Sequence, residues 1–517
     1  MITEERARAA DAGAVEEDAT LGTLLKRCAE RHPERIAFRD SGAEIAFGEL
    51  EARTATAARR LGELGVGPGS TVAAFLGNGV ACLEVYIAAV RTGAILLPLA
   101  AQSTAPEVEY QVRDAGATVL ITDAGRLARL GEVAEAVERT VVLEDGTLFE
   151  GGGDAPVDLS SAADPAWIMY TSGTTGNPKG VVLSQHSLLW TSSRCWNGIV
   201  GLGPDDQLLS PIPTHHSYGM GLTVVATLVA GCTTYAMRSF STPDCFRVLG
   251  EHPITVLAGN PTTFAYLVRH AREFGTVDSQ LRLCVTSSAS PPPSLVEEVE
   301  RVFGAQLVDG YGATELASMT TQVAPGERPP RGSAGRALPG IDLRVVDPET
   351  GEERPPGEPG ELLITGPQVM LRYHGRPDAT AETVRDGWYY SGDLATVDAD
   401  GYLTVTGRKS EIIIRGGENI GPGEVEEAVL SHESVLECAV IGLPDEVMGE
   451  VPVACVVLAD DAGEDFEAEL RRHCRTRLAR FKVPARFVRV DEVPKTLSGK
   501  VKRRLLRDAL QTEGGAR

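Results

Sequence analysis

The sequence is poor in several features that mark particular classes of protein. Its 49 lysines and arginines are outnumbered by 72 aspartates and glutamates, which gives a net charge of −23. This shortage of positive charge argues against a protein that coats nucleic acid or an anionic membrane. The nine cysteines include no C-x-x-C pair. Free thiols in a reducing cytoplasm are therefore expected, rather than a disulfide framework or a zinc site.

Long apolar runs and a hydrolase signature are also missing. The most apolar window, Gly219 to Cys232, is too short to span a bilayer, and it is predicted to form a buried helix. Residues 1–19 are acidic and rich in alanine, without the apolar core of a secretory signal. No G-x-S-x-G sequence occurs, which lowers the expectation of an α/β-hydrolase.

The order of helical and strand-like segments predicts an α/β fold in more than one domain, as a chain of 517 residues requires. Such segments alternate over 21–123 and again over 207–308, a pattern typical of parallel sheets covered by helices. Short alternating strands over about 332–409 predict a β-rich subdomain. We expect a large N-terminal domain, 1–409, of stacked α/β layers plus this subdomain. A small, mobile α+β domain should follow at 410–517.

A stretch rich in glycine, hydroxyl side chains and lysine follows the strand-like run Trp167 to Tyr170. Residues 171–181 read T-S-G-T-T-G-N-P-K-G-V. Glycine lets backbone N–H groups converge, hydroxyls add donors and lysine adds positive charge, so the composition suits a polyanion such as a phosphate. Lys179 follows Gly176 by three residues and precedes a glycine, which differs from the spacing G-x-x-x-x-G-K-[ST]. An ordinary surface loop is the alternative.

At this stretch the chain resembles the AMP-binding, adenylate-forming superfamily of acyl-CoA synthetases, aryl-acid ligases, luciferases and peptide-synthetase adenylation domains. The resemblance covers roughly residues 21–510. It includes further motifs in the family's order: G-Y-G-A-T-E at 310–315, Y-S-G-D at 390–393, R-K-S-E at 408–411 and P-K-T-L-S-G-K at 494–500.

The resemblance implies a reaction in two steps. A carboxylate attacks the α-phosphate of MgATP to give acyl-AMP and pyrophosphate, and the thiol of coenzyme A then displaces AMP. ATP, Mg²⁺ and coenzyme A are thus the expected cofactor and co-substrates. One alternative is a stand-alone ligase that passes acyl-AMP to an acyl-carrier protein or a partner enzyme. Another is an adenylate-binding module without turnover, and a homodimer is a candidate assembly.

The resemblance also implies a role for individual residues. Tyr311 would stack on adenine, Thr314 would touch the α-phosphate, and Glu315 would help to hold Mg²⁺. Lys500 would offset the charge between the carboxylate and the α-phosphate in the first step. The implied catalytic residues are Lys500, Glu315 and Thr174. The residues implied for ATP or AMP are Thr171, Ser172, Gly173, Thr174, Thr175, Gly176, Lys179, Ser288, Ala289, Asp309, Gly310, Tyr311, Gly312, Thr314, Asp393, Arg408 and Lys500.

Several of these assignments have structural alternatives when the residues are considered alone. Asp393, implied for the ribose hydroxyls, could be a turn residue. Arg408, implied for the ribose and phosphate, could be an ordinary surface arginine.

The acyl and coenzyme A sites are implied by a smaller set of residues. The acyl substrate would be lined by His216, Gly312, Phe264 and Met319, although His216 could equally be a packed histidine.

Gly416 and Gly417 would let a thin thiol arm pass, and a tight turn is the alternative there. Ser410 is the expected hinge, where the family usually has aspartate or lysine, and Gly421 replaces a usual bulky residue. Aryl, alicyclic and medium-chain acids all remain open.

Overall fold

The computed structural model describes residues 15–145, 148–151, 156–171, 178–459, 463, 465–495 and 501–514. The strands follow in chain order: β1 Ile36–Arg39, β2 Glu44–Ala46, β3 Thr71–Phe75, β4 Ile95–Leu99, β5 Val119–Thr122, β6 Arg139–Val142, β7 Pro165–Thr171, β8 Lys179–Ser184, β9 Gln207–Ser210, β10 Thr233–Ala236, β11 Val256–Gly259, β12 Leu283–Thr286, β13 Gln306–Asp309, β14 Thr321–Gln322, β15 Arg336–Ala337, β16 Asp342–Val346, β17 Gly360–Thr365, β18 Arg372–Tyr373, β19 Val384–Arg385, β20 Trp388–Val397, β21 Leu403–Arg408, β22 Ile413–Arg415, β23 Glu418–Ile420, β24 Val435–Asp445, β25 Gly449–Leu458 and β26 Arg486–Arg489.

The α-helices are, in chain order, α1 Leu21–Arg31, α2 Phe47–Glu63, α3 Val80–Arg91, α4 Ala105–Asp114, α5 Ala124–Leu130, α6 Gln185–Ser192, α7 Ser217–Gly219, α8 Ala226–Ala230, α9 Thr242–Glu251, α10 Pro261–Phe274, α11 Pro293–Phe303, α12 Pro377–Thr383, α13 Pro422–Leu430, α14 Phe466–Arg475 and α15 Arg503–Gly514. Two π-helical segments, Ser193–Ile199 and Met220–Val225, continue α6 and α7. Shorter 3₁₀ turns lie at Gly131–Ala136, Leu143–Asp145, Thr314–Leu316 and Lys409–Glu411.

Two seven-stranded sheets form most of the N-terminal part, with strand orders β6-β5-β3-β4-β7-β8-β18 and β2-β1-β10-β9-β11-β12-β13. In the first sheet the neighbouring strands β6, β5, β3, β4 and β7 are parallel, and in the second sheet β1, β10, β9, β11, β12 and β13 are parallel. Antiparallel strands lie only at one end of each sheet. Every residue of β3, β5 and β11 is buried, as expected for strands covered by helices on both faces. The predicted α/β layers are confirmed.

Two further sheets follow. An antiparallel sheet has the order β16-β17-β20-β19, with β21 paired to β20. The last sheet has the order β23-β22-β25-β24, with β26 added parallel to β25, and α13 and α14 contribute to its core. These sheets confirm a β-rich region followed by an α+β C-terminal region.

Local structure departs from the sequence pattern in two places. The pattern predicts a helix over Arg126 to Val137, but α5 ends at Leu130 and the chain turns at Gly131, whose φ is +55°. The predicted buried helix over Gly219 to Cys232 is helical as far as Ala230, yet its first part is the π-helical segment.

Two further expectations concern the state of the cysteines and the presence of membrane-spanning helices. All nine cysteines are free and buried, which confirms the expectation of free thiols. None of the helices in the described ranges combines the length and the apolar character that crossing a bilayer requires.

Candidate active site

The β7–β8 hairpin fixes both ends of the glycine-rich stretch. Thr171 pairs with Lys179 at the loop end of the hairpin, and Thr171 Oγ1 donates to the Lys179 carbonyl at 3.5 Å. The predicted phosphate-binding residues Ser172, Gly173, Thr174, Thr175 and Gly176 lie outside the described residues, as does Lys500.

A contiguous chain of three side chains extends from this hairpin. The Lys179 ammonium lies 4.9 Å from the centroid of the Tyr373 ring, and the Tyr373 hydroxyl donates to Glu315 Oε1 at 2.8 Å. Burial, together with the Glu315 carboxylate, raises the pKa of Tyr373 far above its usual value, so the phenol keeps its proton. Tyr373 therefore orients the carboxylate that the sequence assigns to Mg²⁺.

Sequence reasoning did not single out Tyr373. Its position depends on β18, a strand of two residues that pairs antiparallel with β8 and sets Tyr373 opposite Val181. A bond from the Met370 N–H to the Glu315 carbonyl, 2.8 Å long, fixes the same segment against the G-Y-G-A-T-E motif. A local sequence pattern does not predict this pairing of β18 with β8, because the two strands are separated by nearly two hundred residues of sequence.

A second cluster joins three residues that were predicted separately. The Tyr311 hydroxyl donates to Asp393 Oδ2 and Arg408 Nε donates to Asp393 Oδ1, both at 2.7 Å. The antiparallel pairing of β20 with β21 sets Asp393 directly opposite Arg408. Burial, followed by the Asp393 charge, raises the pKa of Tyr311 well above its usual value. Burial is the largest single cause acting on the pKa of Arg408 and lowers it, but the charge of Asp393 and the weaker charges around it together outweigh burial, so the pKa is raised.

The two clusters adjoin at Tyr389. This ring is buried, and burial is the largest cause that raises the pKa of Tyr389 well above its usual value. The remaining causes are the charges of its surroundings, which come from Glu315, Tyr311, Tyr373 and Asp393 in that order. The charges of Glu315 and Asp393 both act on Tyr389, so the carboxylate predicted for magnesium and the carboxylate predicted for the ribose lie near the same ring.

The carboxyl ends of β12 and β13 form the floor of this site. Thr286 pairs with Asp309 there, and the Ser287 hydroxyl donates to the Gly310 carbonyl at 2.8 Å. Burial raises the pKa of Asp309 well above its usual range, which favours the neutral acid. Its Oδ1 atom has no hydrogen-bond partner in the described part of the chain. Ser288 follows with φ at +81° and begins an exposed turn that includes Ala289.

At Gly312 the backbone of the G-Y-G-A-T-E motif lies very close to the backbone of Ser318. A Cβ atom at Gly312 would lie 1.6 Å from the Ser318 carbonyl oxygen, so no other residue fits without moving the chain. The 3₁₀ turn Thr314–Leu316 follows, and Ala317 and Ser318 then have φ values of +48° and +95°. Thr314 and Glu315 are thereby presented on a sharply folded segment.

Besides Gly312, the residues predicted for the acyl group come from three separate segments. Phe264 and Met319 are fully buried, and the rings of His215 and His216 are 4.1 Å apart. Burial, and next the neighbouring His216, hold the pKa of His215 well below its usual value, so this imidazole is neutral. Tyr218 was not predicted in this role, yet its hydroxyl bridges the Gly259 and Val285 carbonyls at 3.3 and 3.4 Å.

A cleft of about 310 Å³ opens next to the histidine pair. Its walls include His215, Arg238 and Asn260 from the N-terminal part and Lys495 from the C-terminal part. Lys495 also donates to Glu437 Oε1 at 2.8 Å. The start of the P-K-T-L-S-G-K motif is therefore held at the edge of the candidate site.

The predicted coenzyme A glycines form a tight turn. Gly416 and Gly417 have φ values of +59° and +87° and connect β22 to β23, the geometry of a two-residue hairpin loop. The Gly416 N–H donates to the Met448 carbonyl at 2.7 Å, and a Cβ atom at Gly416 would lie 2.7 Å from Met448 Cε. Their contacts are thus with the C-terminal sheet.

Comparisons with known proteins agree with this geometry. A family model described as AMP-binding enzyme matches residues 25–374, and one described as AMP-binding enzyme C-terminal domain matches 424–500. A feruloyl-CoA synthase from Amycolatopsis sp is 37% identical over 486 residues, which cover 93% of this chain and 97% of that protein.

Solved structures are similar over nearly the whole chain. ATP-bound MatB from Rhodopseudomonas palustris is 31% identical with a TM-score of 0.87, covering 95% of this chain and 99% of that one. The o-succinylbenzoate coenzyme A synthetase MenE from Bacillus subtilis, with the acyl-adenylate OSB-AMP, is 30% identical with a TM-score of 0.84, covering 94% and 98%. The same synthetase is also known in complex with ATP and a magnesium ion.

Proposed function

This chain belongs to the AMP-binding enzyme family, and we propose that it is an ATP-dependent, AMP-forming acid–CoA ligase. The observation that carries the proposal is the convergence of Tyr311, Asp393 and Arg408 beside the Lys179–Tyr373–Glu315 chain. These groups suit a nucleoside bearing a polyphosphate, because they offer an aromatic face, a ribose acceptor, cations and a carboxylate for a hard metal ion.

Magnesium enters with ATP as part of the substrate. Glu315 fits it, because Mg²⁺ is usually bound through one or two carboxylates together with substrate phosphates. The hydrogen bond from Tyr373 fixes Glu315 Oε1 and with it the plane of the carboxylate. Asp309 is a poor second ligand, because burial favours its neutral form. Bound Mg²⁺ would neutralise part of the phosphate charge.

In the first step, a carboxylate oxygen of the acid bonds to the α-phosphorus of ATP as the bond to pyrophosphate breaks. The glycine-rich stretch and Lys179 would hold the β- and γ-phosphates, and Thr314 would contact the α-phosphate. Lys500 would lie between the two anions and offset their repulsion. Lys495 in the cleft wall supports this role, because it brings the chain to within five residues of Lys500. No covalent enzyme intermediate is needed, since such transfers depend on positioning and charge.

In the second step, the sulfur of coenzyme A bonds to the acyl carbon and AMP leaves. We propose that residues 410–517 form a domain that rotates about Ser410 between the steps. Lys409 Nζ donates to Glu361 Oε2 on β17 at 3.0 Å, whereas Glu411 Oε2 accepts from Arg503 on α15 at 2.8 Å. Ser410 thus separates two ion pairs on opposite sides, which supports a hinge. Rotation would carry the Gly416–Gly417 turn to the path of the thiol.

The acceptor thiol and the assembly are the finer parts of the proposal. We propose coenzyme A as the acceptor, in keeping with the names of the relatives. The phosphopantetheine thiol of an acyl-carrier protein is the chemical equivalent, and a homodimer is a further proposal that light scattering at two concentrations would test.

A trapping assay tests both steps. The chain would be incubated with MgATP and a panel of carboxylic acids, and pyrophosphate, hydroxamate formed with added hydroxylamine, and AMP would be measured with and without coenzyme A. We expect pyrophosphate and hydroxamate without coenzyme A, and acyl-CoA with AMP once it is added. Hydroxamate without any acyl-CoA would redirect the second step to another thiol. An absence of ATP–pyrophosphate exchange with every acid would refute the ligase proposal.

A further inference from the structure

Two serine hydroxyls from distant segments converge on one position beside the adenylate motif. Ser192 ends α6, and Ser318 follows the 3₁₀ turn of the G-Y-G-A-T-E segment. Gly221, in the π-helical segment after His216, lies between them. A Cβ atom at Gly221 would be 3.1 Å from Ser192 Oγ and 3.4 Å from Ser318 Oγ. Because glycine has no side chain, this space faces both hydroxyls.

Neither hydroxyl is satisfied by the protein. Ser192 is 0% exposed and Ser318 is 3% exposed, and neither Oγ atom has a hydrogen-bond partner within the described ranges. A buried polar group without a partner is destabilising and uncommon in folded proteins. Such a pair at one position is available to bond to a ligand group that enters the space beside Gly221.

The buried hydroxyls that flank Ser192 in the sequence behave differently. Thr191 Oγ1 donates to the Ser187 carbonyl at 2.7 Å, and Ser193 Oγ donates to the Trp190 carbonyl at 2.9 Å. Ser210 and Thr223 bond to each other at 2.7 Å. Ser192 is thus an exception on its own helix, where the residues on either side bond back to the main chain.

The backbone at Ser318 connects this position to the nucleotide motif. Ser318 has φ at +95°, an unfavourable conformation for a residue with a side chain. Its carbonyl oxygen occupies the space that a Cβ atom at Gly312 would need, while its hydroxyl points towards Gly221. One strained residue therefore packs against the G-Y-G segment through its carbonyl and towards the His216–Gly221 segment through its hydroxyl.

We infer that Ser192 and Ser318 form the polar end of the acyl pocket and bind an uncharged hydrogen-bonding group, such as a hydroxyl, methoxy or carbonyl, on the substrate acid. This inference rests on the proposed ligase function and specifies its substrate class. A serine hydroxyl both donates and accepts, so the pair suits any of these groups. The three atoms closest to the Gly221 Cβ position belong to the two serines and carry no charge, which disfavours a second carboxylate on the acid, because a buried charge needs a partner.

Matched pairs of acids test the inference. Benzoate would be compared with its 3- and 4-hydroxy, methoxy and acetyl derivatives, and cinnamate with the same set, by kcat/KM from pyrophosphate release. We expect at least one substituted acid to exceed its parent by about tenfold or more, as a site built for a hydrogen bond discriminates against an analogue without it. Ser192→Ala and Ser318→Ala should each reduce that ratio by about five-fold or more.

Two further variants make the result specific. Gly221→Ala would place a methyl group in the space between the hydroxyls and should also abolish the preference, so it provides a second reading if a serine variant does not fold. Ser193→Ala is the matched control, because it removes a buried hydroxyl that bonds to the Trp190 carbonyl, and it should leave the ratio unchanged.

The outcomes separate this inference from the proposed function. Equal kcat/KM for parent and substituted acids, or a ratio that survives both serine replacements and Gly221→Ala, would overturn the inference while pyrophosphate release upheld the ligase. An absence of exchange with all acids would overturn the ligase, and the inference with it.

Discussion

Replacement of Asp393 by asparagine is the sharpest test of the proposed nucleotide site. Asp393 is 5% exposed and accepts one hydrogen bond from Tyr311 and one from Arg408, both 2.7 Å long. Asparagine keeps the shape but loses the charge and turns one acceptor into a donor. A guanidinium only donates, whereas a phenol also accepts. The asparagine oxygen should therefore remain on Arg408 and its NH₂ group should face Tyr311.

The expected magnitude follows from counting these bonds. A hydrogen bond to a charged group contributes about 1.5–3 kcal/mol and a neutral one about 0.5–1.5 kcal/mol. The free enzyme should accordingly lose about 1–2 kcal/mol of stability. Ribose hydroxyls would add two donors to the same carboxylate in the ATP complex, so the loss in kcat/KM for ATP should reach about 100-fold, equivalent to about 3 kcal/mol.

ATP–pyrophosphate exchange and thermal unfolding would be measured on the same preparations. Tyr311→Phe keeps the ring and the Asp393 charge, and should cost about tenfold in kcat/KM for ATP, equivalent to about 1.4 kcal/mol. The control is Asp398→Asn, since Asp398 caps the turn between β20 and β21 through the Asp400 and Tyr402 N–H groups. A variant at 393 that unfolds at lower temperature but retains the wild-type kcat/KM for ATP would show that the cluster is only structural.

Three other predictions follow from the same site. Tyr373→Phe removes the bond to Glu315 but keeps the ring under Lys179, so the Mg²⁺ concentration for half-maximal exchange should rise several-fold, and an unchanged value would contradict the orienting role. Lys500→Ala should lower adenylation by about 10² to 10³ while largely sparing conversion of supplied acyl-AMP, and equal loss of both half-reactions would contradict that division. Burial, and next the neighbouring His216, hold the pKa of His215 below 6.5 in the folded chain. As the pH falls, the unfolded chain therefore binds a proton at His215 before the folded chain does. The contribution to folding stability is full above pH 6.5, and the free energy of unfolding decreases below pH 6.5 by up to about 1.4 kcal/mol per pH unit. Denaturant unfolding at pH 7.0 and 5.5 should show a smaller loss for His215→Gln, and an equal loss would refute the assignment.

Motifs predicted the residues of the proposed nucleotide site, but not the contacts between them. Tyr311 and Asp393 lie in separate motifs, and the sequence could not show that one donates to the other. Tyr373 carries no local signal, because its place depends on the pairing of β18 with β8. Long-range pairing is set by the whole fold, so a pattern of neighbouring residues does not contain it.

Elements were predicted best where burial dictates a simple pattern. The runs at β3 and β5 are apolar apart from one terminal threonine each, because strands of a parallel sheet are covered on both faces. The π-helical Met220–Val225 segment was missed, since an apolar stretch reads the same for either kind of helix. Gly221 belongs to this π-helical segment and lies beside Ser192 and Ser318.

The electrostatics around Ser410 favour a hinge at that residue rather than elsewhere in the R-K-S-E segment. Lys409 is half-exposed and bonds to Glu361 on β17, and such a pair contributes about 1 kcal/mol or less. Arg503 is more buried and is shared by Glu411 and Glu426 at 2.8 and 2.7 Å, so all three members of this network lie after Ser410. Rotation about Ser410 would leave both the Lys409 pair and the Arg503 network intact. A pivot before Lys409 would break the first and one after Glu411 would break the second, which makes the bond torsions of Ser410 the least costly place to turn.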